Sequence, residues 1–421
     1  MYQVSHLENG LTIATAEMPH MASVSLGIWV GVGGRYEPAP LSGISHFIEH
    51  MLFKGTKKRS AKEISEDVEG IGGYLNAFTT EEHTCFYSKA CANRFGDLWD
   101  VLADMFLNSA FDTAELDRER SVIKEELAMY LDQPQHHVQE LLNETLWPNQ
   151  PLGRSLTGTC ETLDRMRRAD LIQYLKANYV TEGTLVAAAG NLKHEEVVGT
   201  VSKLANRIPK DRRPQFQPAN GEQTGPRLRL FTKKTEQTQV ALGLRTCSRH
   251  DDRRFPLRLL NTILGENMSS RLFQVVREEN GLAYSIGSSL GLFDDTGSLT
   301  VSVGLDTENV EATLKLIVKE FQTLISKAPT AGELRRARDY VIGQIDLSLE
   351  NTENQMMWLG EQILAYGKII PPNEIKDRLN RVTPLQIRSA AREFLRPERA
   401  SLALVSPLAR EEKLRKLMQW S

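Results

Sequence analysis

Two histidines and a glutamate stand close together near residue 50: His46, Glu49 and His50, within Ser45-His-Phe-Ile-Glu-His-Met-Leu-Phe-Lys-Gly-Thr56. The order His-x-x-Glu-His reverses the common zinc motif His-Glu-x-x-His. On a helix, residues four apart share a face, so His46 and His50 can reach one Zn2+ at roughly 2.0–2.1 Å each. Glu49 lies at the edge of that face, able to hold a water molecule without being a ligand. Ile44, Phe47, Ile48, Met51 and Leu52 make the rest of the helix apolar and buried. Buried ionisable groups need a partner or a metal.

A catalytic zinc takes three protein ligands and keeps a fourth position open. Residues 113–131 read as a helix, with Thr113 as N-cap, Glu115 and Asp117 in the first turn, and an apolar stripe of Leu116, Val122, Ile123, Leu127 and Tyr130. Glu119 and Glu126 are two turns apart and share a face. Glu126 is the expected third ligand, and Glu119 stands one layer behind, orienting a ligand or the water. Glu115, Asp117 and Glu125 read as exposed partners of nearby arginines.

These segments resemble the pitrilysin-type (inverzincin) zinc peptidases, in the short two-domain branch that includes mitochondrial processing peptidase and its bacterial relatives. That family carries His-x-x-Glu-His and, about seventy-five residues on, a glutamate ligand preceded by another seven residues earlier. His46, Glu49, His50, Glu119 and Glu126 fit residue by residue. Asn9-Gly10-Leu11, Gly72-Gly-Tyr-Leu-Asn-Ala-Phe-Thr79, Pro151-Leu-Gly-Arg154, Ala188-Ala-Gly-Asn191, Met268-Ser-Ser-Arg-Leu-Phe273 and Gly281-Leu-Ala-Tyr-Ser285 extend the match over nearly the whole chain.

A net charge of −3 implies no affinity for nucleic acid or a membrane surface, and no run of eighteen apolar residues is present to span a bilayer. The N-terminal residues form neither a signal nor an Arg-rich transit peptide, and Cys85, Cys91, Cys160 and Cys247 show no paired metal spacing. A cytoplasmic protein with reduced thiols is the expectation.

The Pro- and Gly-rich stretch 209–226 reads as a linker between domains 1–208 and 227–421. Each half runs in the same order. Alternating strands (24–30; 239–244) precede a helix (43–54; 255–265), a strand (73–89; 282–290) and a long helical tract (112–131; 331–366). The expected fold is α+β, with two similar domains in tandem, each a mainly antiparallel sheet covered by helices. Only the first carries the metal motif. The adjacent His136 and His137 read as a surface pair.

The resemblance implies helices on one side of each sheet and two chains closing around a chamber. Residues 73–80 read as a strand whose edge can hold extended peptide, and in the family the segment matching Asn76, Ala77 and Phe78 binds substrate backbone. Phe53 and Phe78 also read as shaping a substrate pocket, and His83 as lining the cleft. By the same resemblance, Arg271 and Tyr284 of the metal-free half bind the substrate carbonyl and polarise the oxyanion, at the zinc of a partner subunit. A zinc endopeptidase for unstructured or presequence-like peptides is expected, with one Zn2+ per chain, Glu49 as general base and composite sites in a homodimer. The alternative is a non-catalytic scaffold or partner subunit of a processing-peptidase-like complex.

Overall fold

The computed structural model describes residues 2–409 and 411–420. Eleven strands among them form two sheets: β1 (Tyr2–His6), β2 (Thr12–Glu17), β3 (Ser23–Val30), β4 (Tyr74–Thr79), β5 (Thr84–Cys91), β6 (Thr184–Gly190), β7 (Arg227–Thr232), β8 (Thr238–Thr246), β9 (Ala283–Leu292), β10 (Gly297–Leu305) and β11 (Ala400–Ser406). The first sheet has the order β1-β2-β6-β3-β5-β4 and the second β7-β11-β8-β10-β9. In each, one pair is parallel (β2 with β6; β11 with β7) and the others are antiparallel. The second sheet therefore repeats the first without β1, as a duplicated α+β domain requires.

The chain forms two compact units. One comprises Met1–Leu127, Arg154–Gln217 and Asp346–Ile370; the other comprises Ala128–Gly153, Pro218–Ile345 and Pro371–Ser421. This division interleaves, unlike the contiguous 1–208, 209–226, 227–421 scheme. The reason lies in the sheets. In β3, Val24, Leu26, Ile28 and Val30 face one core with Phe47, Ile48, Leu98 and Leu102, while Trp29 faces a second core completed by Met356, Leu359 and Ile363. Helices thus cover both faces, not one, and the far face takes the helix Thr352–Tyr366 from late in the sequence. The second sheet takes Val138, Leu141, Leu142 and Leu146 from Pro134–Leu146 against Ala241, Ala403 and Val405. Close approach needs glycine at matching places. A Cβ on Gly27 would lie 2.6 Å from Met356 Sδ, and one on Gly243 would lie 2.9 Å from Leu146 Cδ1.

Three expected elements differ in detail. Residues 73–89 are a hairpin, β4 and β5, closed where Thr80 N–H donates to the His83 carbonyl at 2.8 Å. The tract 331–366 breaks into Ala331–Ser348 and Thr352–Tyr366, because the Asn351 side chain caps the new helix by accepting from Asn354 N–H. The helix Arg254–Asn261 continues as a π-helical turn, Thr262–Glu266. His137 is buried with its ring 4.4 Å from Phe231, so only His136 of that pair is at the surface. No described helix is long and apolar enough to cross a membrane.

Candidate metal centre

The helix Ile44–Leu52 begins at Gly43, whose φ of +94° suits glycine and which offers no side chain to cap the helix. Glu37 supplies the cap from outside. Gly43 N–H donates to Glu37 Oε2 at 2.6 Å and Ser45 N–H to Oε1 at 2.8 Å. A carboxylate here also meets the positive end of the helix dipole. Burial nevertheless pushes the Glu37 carboxyl up to about 7, against these hydrogen bonds and the charge of Arg154. Arg154, from the Pro151–Arg154 motif, donates to the Glu37 backbone carbonyl at 2.8 Å. Ile44, Phe47, Ile48, Met51 and Leu52 are buried, which leaves His46, Glu49 and His50 half-buried along the remaining face.

The second helix is Thr113–Asp132. Its cap is Asp112 rather than the expected Thr113: Asp112 Oδ1 accepts from Ala114 N–H at 2.8 Å and Glu115 N–H at 3.2 Å. The buried stripe is Leu116, Glu119, Ile123 and Leu127, so a glutamate occupies a core position. Val122, expected on that stripe, is 49% exposed, because it lies one residue off the buried row.

These helices bring His46, His50 and Glu126 together, with one potential ligand atom from each lying within 4.8 Å of the others. His46 Nε2 is 3.7 Å and His50 Nε2 3.6 Å from Glu126 Oε2. Both separations exceed a hydrogen bond. Bonds of about 2.1 Å in a tetrahedron put ligand atoms about 3.4 Å apart. The two nitrogen–carboxylate separations therefore lie within a few tenths of an ångström of the spacing between zinc ligands. Burial, then the charge of His50, pushes His46 down to about 4 against the pull of Glu126, so its imidazole is neutral at pH 7, as a ligand must be. Among the described residues, no other group of three or more His, Cys, Asp or Glu side chains has this geometry.

Glu119 stands behind the cluster. Its Oε2 lies 3.0 Å from His50 Nδ1 and its Oε1 2.7 Å from Lys54 Nζ. An Nδ1–H donating to Glu119 directs the Nε2 lone pair toward Glu126. Lys54 was missed by sequence reasoning, although it stands four residues beyond His50. Glu49 is not among the converging ligand atoms; Thr79 Oγ1 donates to its Oε2 at 2.5 Å. Desolvation raises the Glu49 carboxyl, opposed first by that hydroxyl.

β4 is the outer strand of its sheet. Asn76 is exposed on it, and its side chain accepts from Ala77 N–H at 2.8 Å. Phe78 stands on the other face of the strand from Ala77, with its ring 5.7 Å from Trp29 and 6.1 Å from Tyr87. It packs in the second core rather than beside the histidines. His83 joins it there, 5.3 Å from Trp29. Arg271 and Tyr284 belong to the second unit and are not part of this cluster. Arg271 pairs with Glu333 at 2.8 Å and Glu320 at 3.4 Å. Tyr284, on β9, is 78% exposed.

Residues 12–160 match the family model "Insulinase (Peptidase family M16)" and residues 165–341 match "Peptidase M16 inactive domain". A Bacillus subtilis protein named as an uncharacterized zinc protease is 37% identical over 407 residues, spanning 95% of this chain and 97% of that protein. This chain belongs to peptidase family M16. A Streptomyces coelicolor M16 relative, also named an uncharacterized zinc protease, is 36% identical over 408 residues, 96% of this chain and 89% of its own. The M16 fold recurs in a protease from Helicobacter pylori (TM-score 0.92, 20% identity, 97% of this chain and 99% of that one). It recurs also in a chain of complex III2 from Candida albicans (TM-score 0.84, 17% identity, 99% of each chain). At these identities the likeness is one of fold.

Proposed function

We propose that this M16 chain is a zinc endopeptidase acting on extended, unstructured peptides, with one Zn2+ held by His46, His50 and Glu126. The approach of two Nε2 atoms to one carboxylate oxygen at near-tetrahedral ligand spacing carries this reading. Zinc, when bound, supplies a positive charge that acidifies a water molecule and polarises a carbonyl. Glu49 takes the proton of that water as its oxygen adds to the scissile carbonyl carbon. When the C–N bond breaks, Glu49 passes the proton to the leaving amine. Glu119 holds His50 in its ligating orientation, and the open edge of β4 at Asn76 and Ala77 pairs with substrate backbone.

The family model on residues 165–341 carries the word inactive, and the fold recurs in a chain of complex III2, so a scaffold role is the second reading. A complete ligand set with its supporting glutamates favours the peptidase, since buried polar groups without a task cost stability. We also propose that two copies associate around an enclosed chamber, Arg271 and Tyr284 of one chain polarising the carbonyl at the zinc of the other. The segregation of the ligand set and the Arg–Tyr pair into different units supports this.

The test combines metal analysis with peptide cleavage. About one zinc per chain is expected in the wild type and none in His50→Ala. Glu49→Gln is expected to retain zinc and lose cleavage. Equal zinc in wild type and His50→Ala, or undiminished cleavage by Glu49→Gln, would overturn the reading.

A further inference from the structure

Glu49 has one fixed oxygen. Thr79, the last residue of β4, reaches across to donate its hydroxyl to Oε2 at 2.5 Å. The strand's alternation puts Thr79 on the same face as Ala77, which packs into the helix-covered core with Phe47 and Ile48, while Phe78 turns to the opposite face. Thr84 pairs with Thr79 across the hairpin.

The turn beyond Thr79 is clamped. Gly34 N–H donates to the Thr80 carbonyl at 3.0 Å and Arg35 N–H to the Glu81 carbonyl at 2.9 Å. The Arg35 guanidinium, fully buried, pairs with Glu82 at 2.7 Å and lies 3.7 Å under the ring centre of Phe216. A Cβ on Gly33 would meet the Thr80 carbonyl oxygen at 2.1 Å, so this contact is closed to any larger residue. The Thr79 hydroxyl is thereby presented from a rigid element, which is what holding a reacting group within about 0.5 Å demands.

We propose that Thr79 is a positioning residue for Glu49, tying down Oε2 and leaving Oε1 as the oxygen that receives the proton of the attacking water. This rests on the reading of Glu49 as general base. Without the hydroxyl, the carboxylate gains rotamers in which neither oxygen faces the scissile bond. The zinc ligands keep their places, because Thr79 contacts none of them through a described hydrogen bond.

The experiment compares Thr79→Val, which keeps the β-branched shape, with Thr79→Ser, which keeps the hydroxyl, and with Glu49→Gln. Zinc content, thermal stability and steady-state kinetics on an internally quenched peptide are measured for each. Thr79→Val is expected to retain about one zinc, with kcat falling about 10- to 100-fold and KM changing less than about twofold, a part of the roughly 10²- to 10⁴-fold that a positioned general base contributes. Thr79→Ser is expected to stay within about threefold of the wild-type kcat. A merely structural role would lower stability or zinc content and would not be rescued by serine. Wild-type kcat in Thr79→Val, or equal impairment in the serine variant, would overturn the proposal. Should Thr79→Val fail to fold, Thr79→Ala takes its place with the same expectations. Failure of the underlying reading looks different: Glu49→Gln would then remain active, whereas an inactive Glu49→Gln beside a fully active Thr79→Val refutes the Thr79 role alone.

Discussion

Glu119→Gln should weaken zinc binding by about 10- to 100-fold while leaving the chain folded. Glu119 is 4% exposed and accepts from two donors, His50 Nδ1 and Lys54 Nζ. Glutamine fills the same volume but offers one acceptor oxygen, and its NH2 must face one of those donors. A hydrogen bond to a charged group is worth about 1.5–3 kcal/mol. Part of that is lost in the metal-free and metal-loaded forms alike and cancels. The remainder arises because an imidazole that gives its Nε2 lone pair to zinc makes its Nδ1–H a stronger donor, and because Lys54 loses the anion that separates it from His50. A tenfold change equals about 1.4 kcal/mol, so the expected loss is about 1.4–2.7 kcal/mol. Titration of the metal-free protein with zinc against a competing chelator at neutral pH measures it directly. Glu125→Gln, exposed on the same helix, should bind as the wild type does. Unchanged zinc affinity in a folded Glu119→Gln would refute the claim that this carboxylate orients His50.

Glu37 gives a pH signature. Its carboxyl is raised from 4.5 to about 7, so the folded state binds its proton more tightly than the unfolded state does. The stability this contributes is fully present below about pH 4.5 and lost as pH rises through 7, about 3 kcal/mol at ~1.36 kcal/mol per pH unit. Thermal melts of wild type and Glu37→Gln between pH 4.5 and 8 should therefore differ in slope, and parallel curves would count against it. Gly360→Ala should lower the melting temperature by an amount matching about 1–3 kcal/mol of overpacking, since a Cβ there would lie 2.1 Å from buried Trp29; unchanged melting would count against the docking of Thr352–Tyr366 on the first sheet. Mixing Glu49→Gln with Arg271→Ala chains under subunit exchange should restore up to about half the wild-type activity per mixed dimer if sites are composite and independent. No recovery despite proven exchange would remove the homodimer proposal.

The clustering of His46, His50 and Glu126 was legible in the residues because it depends on local periodicity. His46 and His50 share a helix face whatever surrounds them, and Glu119 and Glu126 are two turns apart on theirs. Only the fold adds that Glu119 lies in the buried row of Leu116, Ile123 and Leu127. The duplication was legible in the repeated order of elements, which the two sheets reproduce strand for strand apart from β1. Other features depended on contacts distant in sequence. The apolar faces of Pro134–Leu146 and Thr352–Tyr366 show that each helix is half-buried, but a hydrophobic stripe carries no address, and only the fold assigns each to a sheet built largely from the other half of the chain. The same limit hid Glu37, Lys54 and Thr79. Each makes one or two hydrogen bonds or an ion pair set by tertiary packing, and such contacts leave no period in the sequence to read. Residue types and spacing determined which atoms could bind a metal and move a proton; the packing of strand and helix decided which neighbours hold those atoms still.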